Sequence, residues 1–267
     1  MTTVNNVFEF LNKIAPVEMK MDFDNVGFLV GRADAEVRKI LVALDITNDV
    51  ITESAELNAQ LVVSHHPLFF SLKSVTDADN TGSKIVRLLT GGQSAICMHT
   101  NLDAARGGVN DVLAKAAGIA DKADAGLLNE DGRTSAGEAY SIGRVGFLES
   151  PCSMADYLLK LKRNLGTKGL RYYDAGREVY KVAVVGGSGG DAFEHALRHG
   201  CDTFVTSDIK YHLFLEAKEV EINLIDGGHF CTENLVMPVL AQKLREAFPE
   251  VETTTAKSHA QPPIEFY

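Results

Sequence analysis

Residues 39–70, KILVALDITNDVITESAELNAQLVVSHHPLFF, decide the fold. Lys39–Ile46 is an apolar run that reads as a buried strand. Asp49–Asn58 reads as a helix and Gln60–Ser64 as a second strand. Apolar strands joined through a helix are the signature of a parallel sheet in an α/β fold. The second strand runs directly into His65-His66.

The same alternation continues outward. Ser83–Leu89 is helical in pattern, Ser94–His99 a strand, and Val109–Ala117 a helix closed by Gly118. Further on, Tyr180–Val185, Thr203–Thr206 and Ile222–Asp226 read as strands. Asp191–His199, Tyr211–Val220 and Glu233–Ala247 read as helices. The two halves can be overlaid. KILVALDIT (39–47) falls on KVAVVGGSG (181–189), NAQLVVSHH (58–66) on GCDTFVTSD (200–208), and HTNLD (99–103) on HFCTE (229–233). The expected fold is α/β, with two similar halves, largely parallel sheets and a metal site between them. The expected division is 1–125, 126–232, and a C-terminal helix and tail, 233–267, packing back on the first half. The polar, turn-rich stretch Ala123–Ser135 reads as the linker. Residues 257–267 read as an irregular tail.

Composition narrows the function classes. The chain has 267 residues, 45% of them hydrophobic, with a net charge of −10. No Lys/Arg-rich run occurs, so the footprint of a nucleic-acid binder is missing. No apolar run is long enough for a membrane span. The N-terminal MTTVNNVFEFLNKIAP has no basic n-region and reads as an amphipathic helix, so no secretory signal is expected. Cys97, Cys152, Cys201 and Cys231 form no C-x-x-C pair, which suits reduced thiols and a cytoplasmic location.

Three strand-like runs end in His and acid. Besides His65 and His66, His99 and His229 each have a carboxylate four residues on, Asp103 and Glu233. Imidazole and carboxylate are the donor set of hydrolytic sites built on divalent Zn, Fe, Mn or similar ions. Five or six donors from two halves suit two ions, held about 3.5–4 Å apart by a bridging carboxylate. Such a centre stays cationic and would draw a small anionic substrate. The remaining histidines, His195, His199, His212 and His259, lack that context.

Other motifs read two ways. Gly186–Gly190 is either a phosphate-cradling turn or a tight strand-to-helix turn. Ser207–His212 either lines a pocket or caps a helix. Asp45 is similarly ambiguous. Asp22–Gly27 is a turn signal with little functional content. The apolar loop Pro67–Phe70 reads as a buried contact.

The motifs Ser64–Phe69, His99–Ala105, Gly107–Asp111 and Asp226–Glu233 resemble those of the GTP cyclohydrolase I type 2 homologue family, NGG-one-interacting-factor-like dinuclear metal centre proteins. Gly186–Gly190 and Ser207–His212 also fit. The resemblance implies a homo-oligomer, a toroidal hexamer, with two divalent ions per subunit. One ion would take His66, Asp103 and Glu233, and the other His65, His229 and Glu233. His99 would lie beside them as the catalytic proton carrier. The implied activity is metal-dependent hydrolysis of a nucleotide-like or phosphorylated substrate, with GTP cyclohydrolase-type ring opening as the named candidate. A phosphoesterase, or a regulatory metal-binding scaffold, are the alternatives. Cys231 departs from the family pattern and would make the site redox-sensitive. Phe147 also departs from it.

Overall fold

The computed structural model describes residues 1–120 and 126–266. In chain order the first elements are α1 (Val4–Ile14), β1 (Gly27–Val30), β2 (Lys39–Ala43), α2 (Asn48–Glu56), β3 (Leu61–Ser64), α3 (Asn80–Thr90), β4 (Ser94–Cys97), α4 (Thr100–Ala104) and α5 (Val109–Ala116). Next come β5 (Gly126–Leu127), β6 (Gly132–Arg133), β7 (Ala139–Tyr140), β8 (Arg144–Cys152), α6 (Met154–Leu165), β9 (Arg171–Tyr173) and β10 (Val179–Val184). The last are α7 (Phe193–Arg198), β11 (Thr203–Thr206), α8 (Tyr211–Glu219), β12 (Asn223–Asp226), α9 (His229–Glu233), α10 (Val236–Ala247) and β13 (Glu252–Thr255). None of the described helices is long and apolar enough to cross a membrane.

Two compact units result. The first holds residues 1–102 and 236–261, the second 103–235 and 262–266. The sequence reading followed the polar stretch 123–135 and kept α5 with the first half. By packing, α5 belongs to the second unit. Its Leu113 and Ala114 share a buried cluster with Leu148, Tyr157, Leu161 and Val182. Residues 123–125 of that stretch lie outside the described residues, and 126–135 carry β5 and β6.

The first sheet has the order β1-β4-β3-β2-β13. β13, β2, β3 and β4 are mutually parallel, and β1 closes the edge antiparallel to β4. β3 and β4 are buried along their whole length, as expected of parallel strands covered on both faces. Helices α2 and α3 begin at side-chain caps. Thr47 accepts from Val50 N and Asp79 from Gly82 N, which satisfies amides that the helix cannot.

The second sheet has the order β5-β8-β10-β11-β12-β9, with β10, β11 and β12 parallel at its centre. Its central topology repeats the first. Ile40 pairs with Leu61, and Val182 with Thr203, so the first two parallel strands of each unit have the same sequence spacing. In each unit the third parallel strand carries an antiparallel edge strand from earlier in the chain, β1 or β9. The core is therefore α/β with largely parallel sheets.

Arg144 is the largest fully buried side chain of the second unit. Its guanidinium pairs with Asp111 and donates to Ser141 O at 2.7 Å, Gly143 O at 2.9 Å and Ala104 O at 3.1 Å. A buried cation persists only when its donors are met in this way. The contact to Ala104 O fixes the chain immediately after Asp103.

Several elements differ from the sequence reading. The helix expected over Glu233–Ala247 is two helices, and Glu233 closes the short α9. β1, β8, β9, α6 and β13 were not anticipated. β8 is only half-buried and β13 is a Thr-rich edge strand, so neither gives a continuous apolar run. The loop Pro67–Phe70 also divides. Leu68 and Phe69 pack against the core of the first unit, whereas Phe70 is 55% exposed beside an exposed Phe23.

Candidate metal centre

Parallel strands deliver their carboxyl ends to one edge of a sheet, where ligands usually collect. In the first unit β3 ends just before His65 and His66, and β4 two residues before His99. The three rings pack together, with centroids 5.0–5.5 Å apart. One donor nitrogen from each lies within 4.8 Å of the other two, a grouping able to hold a metal ion. His65 is fully buried.

Each ring is held by its Nδ1. That of His65 lies 2.8 Å from Met98 O. That of His66 lies 2.7 Å from Asp45 Oδ1, and that of His99 lies 2.8 Å from Asp24 Oδ1. A carbonyl or carboxylate only accepts, so Nδ1 carries a proton, and in the neutral ring the lone pair is then on Nε2. Outer-shell hydrogen bonding of this kind orients metal-ligating histidines.

Asp24 is buried and also accepts from Thr100 N at 3.0 Å and Thr100 Oγ1 at 2.5 Å. Burial raises its pKa, but the bonds from His99 and Thr100 outweigh this and bring it down to about 2. Asp45 is likewise raised by burial, then held well below the ordinary carboxylate range by His259 and His66. The buried Cys97 contacts His65 O through its Sγ at 2.9 Å.

The second unit carries the other donors. β12 ends at Asp226, and α9 places His229 and Glu233 one turn apart. His229 Nε2 lies 3.1 Å from Glu233 Oε2, and its Nδ1 lies 2.6 Å from Asp208 Oδ2. A carboxylate oxygen of Asp103 lies within 4.8 Å of one on Glu233. Asp103 and Glu233 are 6% and 4% exposed. Two buried carboxylates this close repel unless a cation lies between them or a proton is taken up. The Glu233 hydrogen bond, opposed by burial and helped by Asp208, lifts the His229 pKa to about 9. The donor set thus fits borderline divalent metals in both units.

The Gly-rich turn supports this carboxylate. Gly186 N donates to Asn110 Oδ1 at 2.9 Å, Gly187 N to Thr232 Oγ1 at 3.0 Å, and Gly189 N to Thr206 Oγ1 at 3.0 Å. Three of the amides that would cradle a phosphate are therefore already used, and the tight-turn reading holds. Asn110 is fully buried and its Nδ2 also donates to Asp103 O at 3.1 Å, which ties the Gly turn to a donor.

Lys210 is the N-cap residue of α8 but makes no side-chain capping bond. Ser188, Asp208, Lys210 and His212 instead line a cavity of about 390 Å³. Cys231 packs in the second unit's core, and burial raises its pKa, so thiolate chemistry there is disfavoured. Phe147 lies on an exposed sheet face against Tyr180, with Lys181 Nζ 5.4 Å from its ring centre.

The sequence reading missed the acceptor Asp24 and set His259 apart from the site. His259 Nε2 lies 2.7 Å from Asp45 Oδ2. The available signal was the β-branched Thr253–Thr255 just upstream, a strand that brings His259 to the edge where β2 delivers Asp45.

Known proteins agree with this architecture. The profile of Duf34/NIF3 (NGG1p interacting factor 3) matches residues 2–262. A GTP cyclohydrolase 1 type 2 homolog of Clostridium perfringens is 34% identical over 98% of this chain and 99% of its own. A Helicobacter pylori protein named GTP cyclohydrolase 1 type 2 is 31% identical over 91% of this chain and 92% of its own. A hypothetical protein from Staphylococcus aureus superposes with a TM-score of 0.89 at 26% identity, covering 99% of each chain. A Bacillus cereus protein related to NIF3 gives 0.90 at 21% identity, covering 100% of this chain and 99% of its own. With donor-bearing strand ends in both units and a family match along nearly its whole length, the chain belongs to the Duf34/NIF3 family.

Proposed function

We propose that this chain is a metal-dependent hydrolase for a nucleotide-like or otherwise phosphorylated substrate, with GTP cyclohydrolase-type ring opening as the specific candidate. His65, His66, Asp103, His229 and Glu233 hold two divalent ions, and His99 moves protons. His65 and His66 come from the first unit and the other three from the second; in this reading they serve the same ion pair. The observation that carries it is the common orientation of the histidines. His65, His66, His99 and His229 each commit Nδ1 to a carbonyl or carboxylate acceptor, the arrangement that prepares Nε2 for a metal or a proton.

Support for Glu233 as the shared donor is its position facing both His229 and Asp103. Bound divalent ions would supply Lewis acidity and lower the pKa of water. His99, oriented by an Asp24 that stays anionic, can then take and return a proton at Nε2. The names of the relatives add weight to the ring-opening candidate.

The test is metal-loaded protein incubated with GTP and, separately, with simple phosphoesters. Formate release from GTP is the expected result. Phosphate release without formate would make the protein a phosphoesterase. Release of neither, from protein that binds metal, would leave a regulatory or scaffold role and overturn the hydrolase reading.

A further inference from the structure

The C-terminal segment is pinned to the first unit at two points. β13 runs parallel to β2, with Thr255 opposite Val42, and Ala256 N donates to Val42 O at 2.8 Å. Beyond it, the Glu53 carboxylate accepts from Lys257 N at 2.9 and 3.0 Å, from Ser258 N at 2.8 Å and from Ser258 Oγ at 2.6 Å. The next residue is His259, whose side chain is 12% exposed. Its Nε2 meets Asp45 Oδ2 at 2.7 Å, while Asp45 Oδ1 meets His66 Nδ1 at 2.7 Å.

We propose that His259 is a positioning residue for the metal centre: through Asp45 it fixes the ring and tautomer of His66, which makes the C-terminal segment part of the site. The inference rests on His66 being a metal ligand. An ionised carboxylate has acceptors only, so both imidazoles must donate to it. His66 then carries its proton on Nδ1 and presents the Nε2 lone pair. Asp45 itself is 39% exposed on its side chain and follows a strand end. Without a second partner its carboxylate has several rotamers to choose from, and His66 loses a fixed acceptor. The Glu53 bonds already hold the segment's backbone, so His259 is not needed to keep the chain in place.

The experiment compares full-length wild type, His259→Ala and His259→Gln. Gln retains an N–H donor near the position of Nε2. In metal-free protein, imidazole nitrogen NMR reads the His66 tautomer directly. In the same samples, chelator competition with Zn²⁺ and Mn²⁺ reads affinity. The expected result is a single Nδ1–H tautomer for His66 in wild type and His259→Gln, with exchange between tautomers in His259→Ala. Metal affinity should fall about 10-fold in His259→Ala and stay within about 2-fold in His259→Gln, the low end for outer-shell changes. An unchanged His66 tautomer in His259→Ala would overturn the proposal, as would failure of Gln to rescue. His66→Ala separates this from the wider reading. Undiminished metal binding in that variant removes His66 from the ligand set, while the tautomer measurement still decides whether His259 orients it.

Discussion

The backbone of Gly187 lies so close to Glu233 that a Cβ built on the glycine would meet Glu233 Oε1 at 2.0 Å. Gly187 also has φ +63°. An alanine there costs about 1–2 kcal/mol for the left-handed backbone alone, and it must displace the carboxylate as well. Gly187→Ala is expected to lower both the melting temperature and the metal content of purified protein. Scanning calorimetry with elemental analysis checks this, and normal metal content would show that the close approach does not position Glu233.

The two buried carboxylates are not equivalent. Glu233 faces His229 and Asp103 together, and in the proposed centre it is the donor that both ions share. Glu233→Gln should therefore lose more metal than Asp103→Asn at equal chelator concentration. Equal losses would argue against Glu233 as the shared ligand.

His229 sets a pH dependence in the metal-free protein. Its folded pKa is raised from 6.5 to about 9. A raised pKa contributes stability that is fully present below the unfolded value and is lost as pH climbs through the folded one. The melting temperature of wild type should fall relative to His229→Gln between about pH 6.5 and 9. Parallel curves for the two proteins across this window would refute the assignment.

Arg144 predicts a structural rather than a chemical defect. Arg144→Met removes the donors of two loop carbonyls and leaves Asp111 without its buried cation. A destabilisation of about 3–5 kcal/mol is expected, as when one partner of a buried pair is removed. Urea titration measures it.

Exposed apolar residues bear on assembly. Phe23 and Phe70 are 62% and 55% exposed, with their rings 6.2 Å apart. Leu72 and Val75 are exposed nearby in sequence. Such groups usually mark contacts. Light scattering should give a mass well above one chain, with a hexamer the expected closed form, and Phe70→Asp should reduce it. A monomer at micromolar concentration would contradict this.

The fold was legible because β2, β3, β10, β11 and β12 are apolar runs that parallel packing demands. The elements that escaped carry weaker patterns. β13 is a run of threonines at a sheet edge, and β8 is mostly exposed in its second half. The candidate donors were visible as His and acid at strand ends. Their supporting shell was not. Asp24 reaches His99 across 75 positions, and Asp45 reaches His259 across 214; no local spacing encodes such pairs. Gly186–Gly190 looked like a phosphate turn, since its composition cannot reveal that Asn110, Thr206 and Thr232 occupy the amides.

The central claim is a two-metal centre held by His65, His66, Asp103, His229 and Glu233. Elemental analysis of chelator-stripped protein, reloaded to saturation and freed of excess ion, tests it most directly. The account predicts a plateau at about two ions per chain, the count of a two-metal hydrolytic site. Saturation at one would contradict it.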